Sequence, residues 1–443
     1  HAIAHGTAEN GKTIYAYGGD HGEEIHDGNF CMDGLVYPDR TVHTGLLEYK
    51  NVYRPVRVVS YDKESGELVL HNYMDFDDLK DYVKISYELT QDGLVISKGI
   101  LPEFSVAPYG EGKTNLKINV PENGKCYLKL IYHLKKELPL LDEDHILGFD
   151  EIEVSKEDTK CKLAEKWIPK TVVDSELQVN ENDTQIHIKG REFAYTIDKR
   201  TALFTEMKFA GREYLNHPME LNIWRAPTDN DMYIKSEWKK AHYDKAYTRA
   251  YTTEVVQGKH GVKITSHASV VAETVQKILD VTITWKIEAA GKIDADIEAT
   301  KDGEFPDLPR FGVRMFLDKK LSAVRYFGMG PQESYRDKHQ ASCHGLFRSK
   351  VAQMHEDYIR PQENGSHYDC DYVELGNSQY GITAIAEEDA FSFNASFYTQ
   401  EELEKKAHNY ELIESDSTVL CLDYAQNGIG SNSCGPDVLD AYR

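Results

Sequence analysis

Thr13-Ile14-Tyr15-Ala16-Tyr17-Gly18-Gly19-Asp20-His21-Gly22 joins two unlike halves. Its first half is an apolar, strand-like run, and its second half is a glycine-rich, acidic loop. A strand that runs straight into such a loop is how a barrel strand ends at a working face. The segment around it, residues 1–47, is too short to close over a good core of its own. It is therefore expected to be the tail of a fold whose beginning lies outside this sequence.

Outward from that segment the pattern becomes antiparallel β. Residues 56–61 and 67–72 flank Asp62-Lys63-Glu64-Ser65-Gly66 and predict a hairpin. Val83, Ile85, Tyr87 and Leu89 alternate with polar residues, and Asp92-Gly93 supplies the turn into 94–96. Leu128, Leu130, Tyr132 and Leu134 alternate again after Glu122-Asn123-Gly124. Short strands with frequent turns over residues 48–160 predict an immunoglobulin-like β-sandwich. A polar stretch of mixed charge, 155–162, is read as a linker.

Residues 172–443 are also β-rich. Val281, Ile283, Trp285 and Ile287 alternate, Ala289-Ala290-Gly291 turns the chain, and Ile293, Ala295, Ile297 and Ala299 alternate in reply. The length suggests one large β-domain. Helices are expected at 399–408, where Thr399 and Glu402 have capping-box spacing, and at 236–246.

The chain has 443 residues, 40% hydrophobic and 28% charged, with a net charge of −23. Such a surface repels phosphate backbones, so nucleic acid is not an expected partner. No apolar run reaches the ~18 residues of a membrane span, so no membrane partner is expected. Residues 1–10 carry no signal-peptide pattern. Cys31, Cys126, Cys161, Cys343, Cys370, Cys421 and Cys434 make an odd, scattered set without a CxxC pair. They read as mostly buried free thiols in a reducing compartment, which favours a cytoplasmic location and leaves a periplasmic one open.

Several motifs carry a larger resemblance. They are Tyr17-Gly18-Gly19-Asp20-His21-Gly22, Asn29-Phe30-Cys31-Met32-Asp33-Gly34-Leu35-Val36 and Asp39-Arg40-Thr41. Downstream come Arg225-Ala226-Pro227-Thr228-Asp229-Asn230-Asp231 and Gly328-Met329-Gly330-Pro331-Gln332-Glu333-Ser334-Tyr335. Pro361-Gln362-Glu363-Asn364-Gly365 and Gly428-Ile429-Gly430-Ser431-Asn432-Ser433-Cys434-Gly435-Pro436 complete the set. In this order the chain resembles the C-terminal portion of lac-type β-galactosidases of glycoside hydrolase family 2. The resemblance implies a mainly β protein. Residues 1–47 would be the last strand and exit of the catalytic (β/α)8 barrel, 48–160 an immunoglobulin-like sandwich, and 172–443 a galactose-mutarotase-like supersandwich of the small-chain type.

It implies a retaining β-galactosidase acting on terminal β-D-galactosides such as lactose. Retention needs two carboxyl groups about 5–5.5 Å apart. In this family both are glutamates on earlier barrel strands, so both are expected upstream of residue 1. The chain alone is then expected to be inactive, contributing active-site wall, carbohydrate contact and assembly. Its partners would be the upstream domains of the same protein, galactosides, and further copies in a homo-oligomer.

By the same resemblance, the Phe30 carbonyl and an oxygen of Asp33 would help hold Na⁺ beside the galactose 6-hydroxyl; a known member has Asn where Asp33 stands. His26 matches a position near a metal-bound water. Na⁺ and Mg²⁺ are expected in the intact parent, with neither bound tightly by this chain. Phe30, Asn432 and Cys434 are the candidate substrate contacts. Cys434 aligns with an aromatic platform of the family, and a thiol cannot stack on a sugar as an indole does. Asp20, His21 and Asp27 share the His26 loop and could contact sugar hydroxyls or a divalent ion; Asp20 and His21 are read as solvated loop charges.

Other patterns are discounted. Gly328-Met329-Gly330 lacks the third glycine of a dinucleotide fingerprint and is read as a turn. His339, Cys343 and His344, or His367, Asp369, Cys370 and Asp371, have zinc-ligand chemistry by composition only. Arg225 is expected to pair with Asp229 or Asp231 at a domain junction. Competing readings are a free-standing carbohydrate-binding module, an epimerase and the small subunit of a split enzyme.

Overall fold

The computed structural model describes residues 3–32, 34–155 and 177–443. Asp33, Cys161 and all of the expected linker except Ser155 lie outside them. The strand expected at 13–17 is Thr13–Ala16, and it pairs antiparallel with Ile3–Thr7. A strand inside a (β/α)8 barrel has parallel neighbours. Here the edge N–H and C=O groups are met by the segment nearest in sequence, which can only return antiparallel. The loop that follows leads through a 3₁₀ turn, Gly28–Met32, to the helix Thr44–Val52.

The sandwich forms as the alternation predicts. One sheet runs in the order Val56–Tyr61, Glu67–Asn72, Glu111–Asn115. The other runs Leu94–Ile100, Val83–Gln91, Cys126–Leu134, Ile146–Glu153. Leu68 and Leu70 of the first sheet share a core with Ile85, Leu89, Leu128, Leu130 and Tyr132 of the second. Asp92 and Gly93 both take positive φ, 48° and 79°, as a two-residue hairpin loop requires.

The remaining residues build four sheets around one continuous core that includes Trp285, Phe204, Tyr326 and Phe393. Strands Val275–Glu288 and Ile293–Lys301 pair as expected, Trp285 opposite Ala295. The sheet that positions the site has the order Leu215–Asn222, Arg310–Asp318, Ser417–Gln426, Phe391–Ser396, Ser366–Cys370. Asn222 lies opposite Gly312 and Gln426 opposite Arg310. The loops that leave Asn222 and Gln426 therefore emerge side by side at one end of this sheet.

The helices are shorter than expected. Gln400–Lys405 is capped by Thr399, whose Oγ1 accepts from Glu402 N at 3.1 Å. Glu402 does not return the bond; its carboxylate accepts from Ile413 N at 2.8 Å. The 236–246 helix is Ile234–Lys240 followed by a 3₁₀ turn, broken by left-handed His242 at φ 57°. Gly328-Met329-Gly330 ends the strand Ala323–Gly330 and is not a turn. A Cβ on Gly328 would stand 2.2 Å from Cys370 Sγ, so glycine is needed there for close packing. Among the described residues no helix is long and apolar enough to cross a membrane.

Candidate functional site

The two loops at the end of the central sheet are locked together by Arg225. Its guanidinium is fully buried and takes Asp231 with both forks, Nε to Oδ2 at 3.1 Å and Nη2 to Oδ1 at 2.7 Å. Its other N–H groups donate to the carbonyls of Asn427, at 2.6 Å, and Gly428, at 3.0 Å. Asp337 holds the same loop from below, accepting from Ile429 N and Gly430 N at 2.9 and 2.8 Å. Asn230 bridges on, donating to the Gly430 carbonyl and accepting from Ser433 Oγ. A buried, bidentate arginine pair fixes backbone geometry tightly, and here the backbone it fixes is the loop that carries Cys434.

Asp229, the other carboxylate of the motif, turns away from Arg225 to the N-terminal segment. Asn29 Nδ2 donates to both of its oxygens at 2.9 Å. Gln362 Nε2 donates to Asp229 at 3.0 Å, and Arg360 donates to Asn29 Oδ1 at 2.7 Å. Deeper in the junction Glu333 is buried and satisfied by four donors: Lys338 Nζ at 2.6 Å, Gly365 N and Tyr358 OH at 2.8 Å, and Thr44 Oγ1 at 3.0 Å. Burial pushes this carboxyl up, but Lys338 and the hydrogen bonds outweigh it and hold it at about 2. Glu48 accepts from Gln340 N and Ala341 N at 2.7 and 2.8 Å. Tyr37 pairs with Glu356 across the same seam. The N-terminal segment is thus seated on the terminal β-domain through charge-assisted bonds.

Between these two parts lies a cavity of about 590 Å³. Asn29, Cys31, Met32, Asp229, Asn230 and Cys434 are on its wall. Of the residues expected at a sugar site, Cys434 is there and exposed. Asn432 bonds within its own loop, to Asp437. Phe30 is 55% exposed and lies outside the cavity, while its neighbours Asn29 and Cys31 line it. His26 accepts from Gly28 N at 3.1 Å through Nδ1, and its ring lies over Gly19. Asp20 is engaged as well: it accepts from Tyr17 N and from His408 Nε2, both at 2.8 Å. His21 packs edge-on to His5.

The residues discounted as zinc ligands are structural. Among the described residues no group of three or more His, Cys, Asp or Glu side chains is placed to hold a metal. His344 instead bridges the sandwich and the terminal domain. Its Nδ1 donates to Glu151 at 2.7 Å, its Nε2 donates to Asp369 at 2.9 Å, and its ring stacks on Tyr127 at 4.1 Å. His367 is buried, donates to the Met329 carbonyl, and is pushed down to about 4 by burial. The six described cysteines are free; Cys126, Cys343, Cys370 and Cys421 are buried, whereas Cys31 and Cys434 are exposed.

Two features escaped sequence reasoning. One is a polar network on the central sheet, where buried Arg310 binds Asp423 and Glu363, and Arg314 binds Glu220, Gln400 and Glu401. The other is the hub at Glu333, whose partner Thr44 is 289 positions away. For the first the local signal was the charge of Arg310, Arg314 and Asp423 inside strand alternation; Glu333 lies outside any strand and had no such signal.

Residues 189–443 match the family described as beta galactosidase small chain. The chain belongs to that family. Around this small-chain region, residues 68–155 match beta-galactosidase domain 4, and residues 1–58 match the TIM barrel domain of glycosyl hydrolases family 2. The small-chain family member in hand is 44% identical to a β-galactosidase of Actinobacillus pleuropneumoniae over 97% of its length, and 33% identical to one of Staphylococcus xylosus over 100%. A Kluyveromyces lactis β-galactosidase is 29% identical over 97%. It spans less than half of each of these relatives, 41%, 44% and 40%.

Proposed function

We propose that this chain forms one wall of a retaining β-galactosidase that hydrolyses terminal β-D-galactosides such as lactose. The observation that carries the reading is the seam from Asn29 to Asp229 and from Thr44 to Glu333. It sets a strand-end loop of family-2 barrel sequence against the small-chain loop that bears Cys434. In this reading the attacking and protonating carboxylates come from earlier barrel strands of the same protein, and the assembled enzyme is a homo-oligomer in the cytoplasm. Phe30 and Asp33 would hold Na⁺ through oxygen ligands suited to a hard cation, orienting a sugar hydroxyl, while His26 would lie near a metal-bound water. Asn432 and Cys434 would face the leaving-group sugar.

The test is turnover of a nitrophenyl β-galactoside. The chain alone is expected to be inactive, and activity is expected when it is joined to the barrel segment of a relative. Turnover by the chain alone, lost on substitution of one of its own carboxylates, would reject the reading. In the joined enzyme Asp33→Ala is expected to weaken Na⁺ activation; unchanged sodium dependence rejects that role.

A further inference from the structure

A second set of reactive groups lies on the outer face of the sandwich, among residues that take no part in the junction cavity. Ser86 is on the strand Val83–Gln91 and His133 on its neighbour Cys126–Leu134. Ile85 and Leu89 of the first strand and Leu130 and Tyr132 of the second belong to the sandwich core. Alternation therefore turns Ser86 and His133 to the opposite face, where both are half-buried.

The Ser86 hydroxyl and His133 Nε2 are 2.8 Å apart, and His133 Nδ1 lies 3.3 Å from the Asp144 carbonyl. A carbonyl only accepts, so the proton of the neutral ring is on Nδ1. Nε2 then presents a lone pair, and the Ser86 hydroxyl donates to it. Nucleophile, base and orienting acceptor follow one another as they do in acyl-transfer sites, with a backbone carbonyl in place of the third carboxylate. Lys84 stands directly opposite His133 and pairs with the Asp144 carboxylate. It steadies the loop whose carbonyl orients the ring, and it brings positive charge to the side of the pair. Ile131 lies opposite Ser86, and Phe149 lies opposite Ile131, both half-buried. They make a small apolar shelf beside the hydroxyl.

We propose that Ser86 is a nucleophilic serine that takes an acyl group from small activated esters, with His133 as its general base. Ser86 Oγ bonds to the ester carbonyl carbon as His133 Nε2 takes the hydroxyl proton. The C–O bond to the leaving alcohol then breaks, and the proton passes from Nε2 to the departing oxygen. The products are acyl-Ser86 and the free alcohol, with His133 neutral again. Every reacting group of the protein belongs to the sandwich, so the proposal stands apart from the glycosidase reading.

The experiment treats the full 443-residue chain with p-nitrophenyl acetate and, separately, with an alkyl fluorophosphonate, and maps the adducts by mass spectrometry. Expected are a nitrophenolate burst of about one equivalent per chain and adducts on Ser86 with both reagents. Ser86 should label about 100-fold faster than Ser65 and Ser236, exposed serines whose hydroxyls are bonded to backbone. Ser86→Ala should abolish the burst, and His133→Gln should slow labelling about 100-fold. Added imidazole should restore labelling in His133→Ala, and circular dichroism should show each variant folded, because both side chains face out of the core. An absence of adduct on Ser86 in the wild-type chain overturns the proposal, as does labelling no faster than at Ser65. Labelling that His133→Gln leaves unchanged, or acetyl adducts confined to lysines, also overturns it.

Discussion

His344 should make the contact between sandwich and terminal domain weaken at alkaline pH. Both of its ring nitrogens donate to carboxylates, Glu151 at 2.7 Å and Asp369 at 2.9 Å, which only the imidazolium can do. Burial opposes the charged ring, but the two carboxylates outweigh it and raise the group to about 9. The same carboxylate–histidine unit sits beside the Lys125–Asp371 pair and is covered by Tyr127. Moving the group from 6.5 to about 9 corresponds to about 3 kcal/mol of linkage. The folded-state value is raised, so this stability is fully present below about pH 6.5 and is lost as pH climbs through about 9. The perturbation is His344→Gln, which keeps a donor and cannot titrate. Urea unfolding of wild type and variant is compared from about pH 6 to 9.5. The gap between them should be widest at the acid end and narrow by about 3 kcal/mol at the alkaline end. Subtraction removes the titration of groups common to both proteins. A gap that does not change with pH refutes the reasoning, as does an imidazole that titrates near 6.5 by NMR in the folded protein.

Glu333→Gln leaves the partly buried Lys338 ammonium beside a neutral amide, and should cost about 3 kcal/mol by denaturant melting at neutral pH. Because Glu333 is held at about 2, its contribution is present above pH 4.5 and fades as pH falls through about 2; wild type and variant should converge only there. Gly93→Ala places a Cβ 2.6 Å from Leu346 N on a backbone of φ 79°, so it should destabilise by about 2 kcal/mol or more, read as a lowered melting temperature. Thr399→Ala removes the cap on Glu402 N and should cost about 1 kcal/mol.

Local and periodic features were legible in the residues alone. Alternation at Leu128, Leu130, Tyr132 and Leu134 called for a half-buried strand, and each of those side chains is buried. Asp92-Gly93 called for a tight hairpin because few residues accept positive φ twice in succession. Read from the sequence, Arg225 pairs with Asp229 or Asp231 at a domain junction; its partner is Asp231, within the terminal domain, while Asp229 is the carboxylate that meets the N-terminal segment. The ordered motifs called for the family. Which distant segments face each other is set by packing across the whole chain. Asn29 and Asp229 are 200 positions apart, Glu151 and His344 are 193, and Thr44 and Glu333 are 289. No periodicity reports such pairs, because they depend on which loops leave the same end of the central sheet and on how the N-terminal segment packs over them. The cavity, the unpaired Tyr335 hydroxyl and the meeting of Cys31 with Cys434 on one wall all follow from that packing.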